Sequence, residues 1–192
     1  ATVESTVDRV NSDLLDIRQI FNAANYNIVQ EFDISSGKFA EQFSLLYEVN
    51  SDKIESLALY GNEGRLIASE PVAVEKENID VKGQDWYKNA ESAIENVHFS
   101  VPHIQNLYED GLYRYHWVVS LSRYVDINDG EIPGSGVLLV DMKYSVIEDV
   151  LKQINDSSEG IYYYMISRDG QIIYHPRKTE MARGLFEENS LK

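Results

Sequence analysis

Eight apolar residues near the N-terminus constrain this chain more than any other feature. Val3, Val7, Val10, Leu14, Ile17, Phe21, Ala24 and Ile28 recur at intervals of 4, 3, 4, 3, 4, 3 and 4 residues. That heptad seam falls on one face only if the segment is helical. No Gly or Pro interrupts residues 1–36, so the spacing predicts a helix of roughly 45 Å at 1.5 Å per residue. Leu15, Ile20 and Val29 widen the stripe beyond two positions per heptad. A stripe of that width suits packing along its own domain with part of its length left for a second copy. The seam is therefore expected to support a homodimer through Val3 to Ile28.

A second helix is expected from Lys38 to Tyr47, with Phe39, Phe43 and Leu46 on one face. The apolar period then shifts from 3.6 to 2, the signature of strands. Ile54 to Tyr60 alternates, Gly61-Asn62-Glu63-Gly64 reads as a turn, and Arg65 to Ser69 returns as a second strand. Pro71 to Val81 is irregular and polar. Asp85 is placed to cap a helix from Trp86 to Asn96, with Trp86, Ala90, Ala93 and Ile94 facing inward. Val97 to Val101 reads as a short strand and Pro102 to Gly111 as a loop. Leu112 to Val125 reads as the longest strand, with Tyr113, Tyr115, Trp117 and Val119 on one face and Arg114, His116, Val118 and Ser120 on the other. After a loop from Asp126 to Gly134, Ser135 to Met142 pairs back. Ser145 and Glu148 form a capping box before a helix whose apolar face is Val146, Val150, Leu151 and Ile154. The order defines an α+β chain: a long N-terminal helix, an antiparallel sheet of about five strands, and flanking helices.

One stretch repeats. Leu57 to Ser69 and Tyr163 to His175 are both strand, acidic-Gly turn, strand, and aligning them sets Gly64 on Gly170 and Glu63 on Asp169. The repeat divides the chain into a stalk and dimerisation helix (1–36), a complete module (37–158) and the opening of a second, truncated one (159–192).

Charge and composition exclude several classes of function. With 32 acidic and 17 basic side chains the formal net charge is -15, so there is no basic stripe to release counterions from nucleic acid or to meet anionic lipid. The chain has no cysteine, which removes disulfides, thiolate nucleophiles and sulfur-ligated metals. Its longest aliphatic run, Val137 to Val140, is far short of the ~20 residues a membrane-spanning helix needs. His98, His103, His116 and His175 are scattered without metal-ligand spacing, and no GxSxG, P-loop or GxGxxG is present. Asp126-Ile127-Asn128-Asp129-Gly130 faintly resembles a calcium loop, but its Gly is fifth where an EF-hand needs it sixth, and it reads as a hairpin. No catalytic residue, metal ligand or cofactor is assigned.

Several elements in order carry a family likeness: the long N-terminal helix, a strand–turn–strand, and a helix opening with Asp85-Trp86-Tyr87. They continue with Ser100-Val101-Pro102-His103, the alternating strand ending near Ser120, and the run from Gly136 to Asp141. Together they resemble the Cache (double-Cache, PAS-like) extracytoplasmic sensor domains of bacterial sensor histidine kinases and chemoreceptors. The resemblance implies a PAS-like sheet outside the cytoplasm that binds a small molecule without transforming it. The output is expected to be a histidine kinase of a two-component system. A chemoreceptor ectodomain and a non-sensing oligomerisation module are the alternatives. Membrane attachment would come only from segments outside this sequence.

The resemblance also suggests a site. His103 and Gln105 match loop residues that touch ligand in the family, and Asp141 matches the acidic residue that takes a ligand ammonium. Trp86, Tyr115 and Trp117 are expected to wall the pocket, because Trp and Tyr join an apolar body to a polar tip, although each also suits ordinary packing. Gln84 stands where amino-acid-binding members carry an Arg, and a neutral amide does not replace a bidentate guanidinium. Amines, nucleobase-like compounds or sugars are therefore expected ahead of simple amino acids and dicarboxylates. Arg114, opposite the Tyr113–Tyr115–Trp117 face, is not expected to share their pocket.

Overall fold

The computed structural model describes residues 2–94, 96–130, 132–167 and 170–185. These form two compact units, residues 15–144 and the two segments 1–14 and 145–192. Helix α1, Val3–Ala24, follows the heptad seam and passes into a π-helical turn over Asn25–Val29. Ile17, Phe21, Ala24 and Val29 are wholly buried, whereas Val3 and Val7 are half exposed. Helix α2, Gly37–Val49, starts where the Ser36 hydroxyl accepts the Phe39 N–H at 3.1 Å, satisfying one orphan donor of the first turn. Its buried Phe39 and Phe43 rings stack at 5.2 Å.

The larger unit is built on an antiparallel sheet. Its strands are β1 (Ile54–Gly61) and β2 (Leu66–Glu70), then the short β3 (His98–Phe99) and β4 (His103–Ile104). The long β5 (Trp117–Asp129) and β6 (Ile132–Lys143) complete it. The spatial order is β2-β1-β6-β5-β3, with β4 also on β5. The expected sheet of about five strands thus has six, the extra one being two residues around His103. Strand β6 lies centrally, pairing β1 through Leu57↔Val140 and β5 through Leu121↔Val140.

Alternation sorts the sheet into two faces. Leu57, Leu59, Leu121, Leu138 and Val140 are buried on one face. Ala58, Tyr60, Leu139 and Val137 on the other join Trp86, Tyr87, Ala90, Leu107 and Tyr108 in one apolar cluster. Helix α3, Asp85–Ser92, supplies Trp86, Tyr87 and Ala90 to it. Gln84, not Asp85, is its N-cap residue, and no side chain caps it; Asp85 instead lies in the first turn, where a negative charge favours the helix dipole. The helix stops before the expected Asn96, leaving Ile94 exposed, while Glu95 lies outside the described residues.

The longest expected strand begins five residues late. Tyr113 adopts a positive φ of 51°, and Asp110 accepts hydrogen bonds from the Leu112 N–H at 2.8 Å and Arg114 Nε at 3.1 Å. These hold 110–114 as a turn, so alternation does not begin until Trp117.

In the smaller unit, helix α4 (Ser145–Asp156) buries Ile147, Val150, Leu151 and Ile154, so Ile147 rather than Val146 completes its apolar face. The Asn155 side chain holds Tyr163 at both its N–H (2.7 Å) and its carbonyl (2.9 Å). Strands β7 (Met165–Ile166) and β8 (Ile172–Tyr174) form a hairpin, followed by the short helix α5 (Lys178–Ala182). This hairpin reproduces the β1–β2 turn. Gly64 and Gly170 have φ of 79° and 84°. The Gly64 N–H donates to Gly61 O at 2.9 Å and the Gly170 N–H to Ser167 O at 3.0 Å. The returning bonds, Gly61 N–H to Arg65 O and Ser167 N–H to Gln171 O, are both 2.8 Å. Asp169, aligned with Glu63 in the sequence, lies outside the described residues.

Candidate functional site

A polar row crosses three adjacent strands of the larger unit. The register pairs Ser56 of β1 with Asp141 of β6, and Asp141 with Ser120 of β5. These residues lie on the face that carries Ala58 and Tyr60, one alternation beyond the apolar cluster. Both serines serve the carboxylate: Ser120 Oγ donates to Oδ1 at 2.5 Å and Ser56 Oγ to Oδ2 at 3.3 Å. Asp141 is only 1 % exposed. Burial, its dominant influence, pushes its carboxyl above the usual range, while the Ser120 hydroxyl and the charge of His103 pull the other way. His103 continues the row, with Nε2 3.3 Å from Ser120 Oγ and Nδ1 2.9 Å from the Val101 carbonyl.

Over the Ser56 end of this row opens a cleft of about 940 Å³, walled by residues 71–74, Lys76, 104–106, 108–111 and 113–116 together with Glu55 and Ser56. Val72, Val74 and Ile104 give it an apolar side; Tyr108, Tyr113 and Tyr115 add aromatic surface. Its polar groups include Gln105, Lys76, Arg114, His116, Glu109 and Asp110. Arg114 is paired with Asp110, and His116 lies between Glu55 and Asp110. Lys76 carries a cation with no carboxylate within ion-pairing distance among the described residues. Beneath the wall, the Tyr60 and Tyr108 hydroxyls are 3.0 Å apart. Burial, above all, pushes both phenols far up, so they remain protonated donors.

The six residues named from sequence are placed differently. Gln105 and Tyr115 line the cleft. Asp141 lies one hydrogen bond below cleft-lining Ser56, and His103 reaches Asp141 through Ser120. Trp86 is in the apolar cluster, its ring 5.3 Å from Tyr60 and its carbonyl accepting from Ser122 Oγ at 2.8 Å. Trp117 is half exposed, 6.3 Å from the Tyr144 ring, and is not part of the cleft wall. Sequence reasoning did not single out Ser56, Ser120, Tyr60 or Tyr108. The available signal was serines set among apolar residues, Ser56 in β1 and Ser120 with Ser122 in β5.

The expectation that Arg114 stays apart from the aromatics is also corrected. Because 110–114 is a turn, Tyr113, Arg114 and Tyr115 all line one cleft.

A sheet of this order with a ligand-sized cleft on one face defines a PAS-like binding module. The Cache domain family model matches residues 1–192, and the chain belongs to that family. Among solved structures it is similar to the ligand-binding domain of the Pseudomonas aeruginosa PAO1 chemoreceptor PctC in complex with GABA. The identity is 18 % and the TM-score 0.71, over 98 % of this chain and 81 % of that one. It is also similar to the ligand-binding domain of the Pseudomonas fluorescens chemoreceptor CtaA in complex with L-serine, at 22 % identity and TM-score 0.63, over 92 % and 70 %. A third is that of P. aeruginosa PctB with L-Arg, at 22 % identity and TM-score 0.62, over 92 % and 64 %. No curated protein sequence matches significantly. The ranking of amines, nucleobase-like compounds and sugars ahead of simple amino acids is overturned by these neighbours, whose ligands are amino acids. The physical fault lay in treating Gln84 as deciding the cation supply, when Lys76 and Arg114 stand in the cleft wall.

Proposed function

We propose that this chain is the extracytoplasmic ligand-binding part of a transmembrane chemoreceptor and that its ligand is an amino acid. The observation that carries the reading is Asp141, a carboxylate 1 % exposed and held by serines in a row that opens into the cleft. An ionised group so buried is costly without a cation, and an α-ammonium supplies one. Lys76 is free to meet the ligand carboxylate in place of the missing Arg at position 84. Gln105 and Tyr115 offer further contacts from the wall. His103 acts through Ser120 to orient the row, and Trp86 backs Tyr60.

The chemoreceptor reading replaces the histidine kinase first expected, because the similar solved domains are those of chemoreceptors. The module binds and releases its ligand, and signalling follows from unequal affinity for two conformations. We further propose residues 37–158 as one module and 159–192 as the opening of a second, on the strength of the twin turns at Gly64 and Gly170.

Titration calorimetry with L-serine, L-alanine, L-arginine, L-asparagine and GABA tests the reading. At least one is expected to bind, and Asp141→Ala to abolish that binding. Failure of all five, or a binder indifferent to Asp141→Ala, would overturn it.

A further inference from the structure

Two buried side-chain polar atoms among the described residues have no hydrogen-bond partner, Arg123 Nε and Glu75 Oε1. Arg123 is served elsewhere, since its Nη1 donates to the Tyr26 hydroxyl at 3.0 Å and its guanidinium lies over that ring. Glu75 has no such relief; no ion pair reaches it among the described residues.

Its backbone position is firmly set. Glu75 bridges Tyr108 antiparallel, and on either side Lys76 N–H donates to Leu107 O and Glu109 N–H to Val74 O, each at 2.9 Å. Residues opposite one another in an antiparallel pair project to the same face, so the Glu75 side chain accompanies Tyr108 while Val74 and Lys76 take the other face. Tyr108 meets Tyr60 through their hydroxyls. The charges of Glu75 and Asp141, after burial, both push both phenols up, in keeping with the position that the bridge gives Glu75 beside Tyr108. A carboxylate oxygen without a donor in such a place destabilises the fold. Unsatisfied groups of this kind point to a ligand, ion or water that completes them.

We propose that Glu75 is a second ligand-binding carboxylate, whose Oε1 beside the Tyr60–Tyr108 pair accepts an N–H from the ammonium group that Asp141 also attracts. The inference rests on the amino-acid reading above and extends it. Two carboxylates around one ammonium suit a primary amine nitrogen, with three protons to distribute, and disfavour N-acylated analogues that have lost charge and donors.

The five amino acids are titrated into wild type and Glu75→Gln, and both proteins are melted without ligand. Glu75→Gln is expected to weaken the best binder at least tenfold and to leave the ligand-free Tm equal or higher. The N-acetyl derivative of that binder is expected to bind both proteins equally poorly. Unchanged affinity in Glu75→Gln overturns the role of Glu75 but leaves the site reading intact, because Asp141→Ala tests that reading separately. A ligand-free Tm several degrees lower overturns it as well, since the fold itself would then depend on the carboxylate. That melting comparison judges Glu75 even if none of the five amino acids binds.

Discussion

His116 Nε2 lies 2.7 Å from Asp110 Oδ2, and its Nδ1 is equally close to Glu55 Oε1, so one ring ties the cleft loop to strand β1. The hydrogen bond from His116, followed by that from the Leu112 N–H, holds the Asp110 carboxyl well below the usual carboxylate range. A carboxylate depressed on folding contributes its stability above its unfolded value, near 3.9, and loses it as the pH falls toward the folded value. Asp110→Asn should therefore lower the Tm at pH 7, and the gap to wild type should narrow as the pH drops from 5 toward 2.5. Scanning calorimetry over that range checks it; a gap of constant size would show that the carboxylate charge plays no part.

Asp141 predicts the opposite sign. Burial raises its folded value, so the folded state holds that proton more tightly than the unfolded one, and ionisation at neutral pH costs stability. Asp141→Asn is expected to raise the ligand-free Tm at pH 7.5 and to gain nothing at pH 4. A lower Tm at pH 7.5 would mean that the two serine hydrogen bonds outweigh the burial.

Gly136 sits where β6 passes β1. A Cβ there would lie 2.0 Å from the Tyr60 carbonyl oxygen and 3.0 Å from its carbon, both backbone atoms that no rotamer change can move aside. Gly136→Ala should cost about 3 kcal/mol, or ~6–12 °C for a chain of this size. Gly37→Ala, with nothing within 4 Å, should be neutral or slightly stabilising. Thermal melts of the two variants distinguish crowding from a general penalty on replacing glycine.

Self-association through α1 must use the residues that folding leaves exposed. Val10 is 7 % and Ile17 0 % exposed, against 45 % and 50 % for Val3 and Val7. Charges at Val10 and Ile17 would therefore damage the fold as well as any contact between copies. The double variant Val3→Glu/Val7→Glu is expected to shift sedimentation toward monomer without changing the melt. A wild-type chain that is strictly monomeric at high micromolar concentration would show that the seam serves only its own chain.

What was legible in the sequence is what depends on neighbours along the chain. The 4–3 spacing from Val3 to Ile28 needs only one turn of helix to be recognised. The alternation of Ile54 to Tyr60 and the Gly64 turn are equally local. Tyr113, Tyr115 and Trp117 showed the same alternation, yet Asp110 captures Leu112 and Arg114 and bends the chain first. The polar row was out of reach for another reason. Ser56 meets Asp141 only through the β1–β6 register, which no local pattern specifies. Glu75 is harder still, because its meaning depends on Tyr108 across an isolated bridge in a segment that reads as irregular.

The central place of β6 also sets an order of events during synthesis. Strand β1 leaves the ribosome early and can close its turn with β2, but its other edge waits for Val137–Met142. Until those residues emerge, Leu57, Leu59 and Tyr60, all fully buried in the finished sheet, remain open to water beside an unpaired strand edge. The β5–β6 hairpin, closed through Asp129↔Ile132, needs no such wait. A nascent chain stalled before β6 is therefore the form of this protein most exposed to aggregation, and the one a chaperone would have most reason to hold.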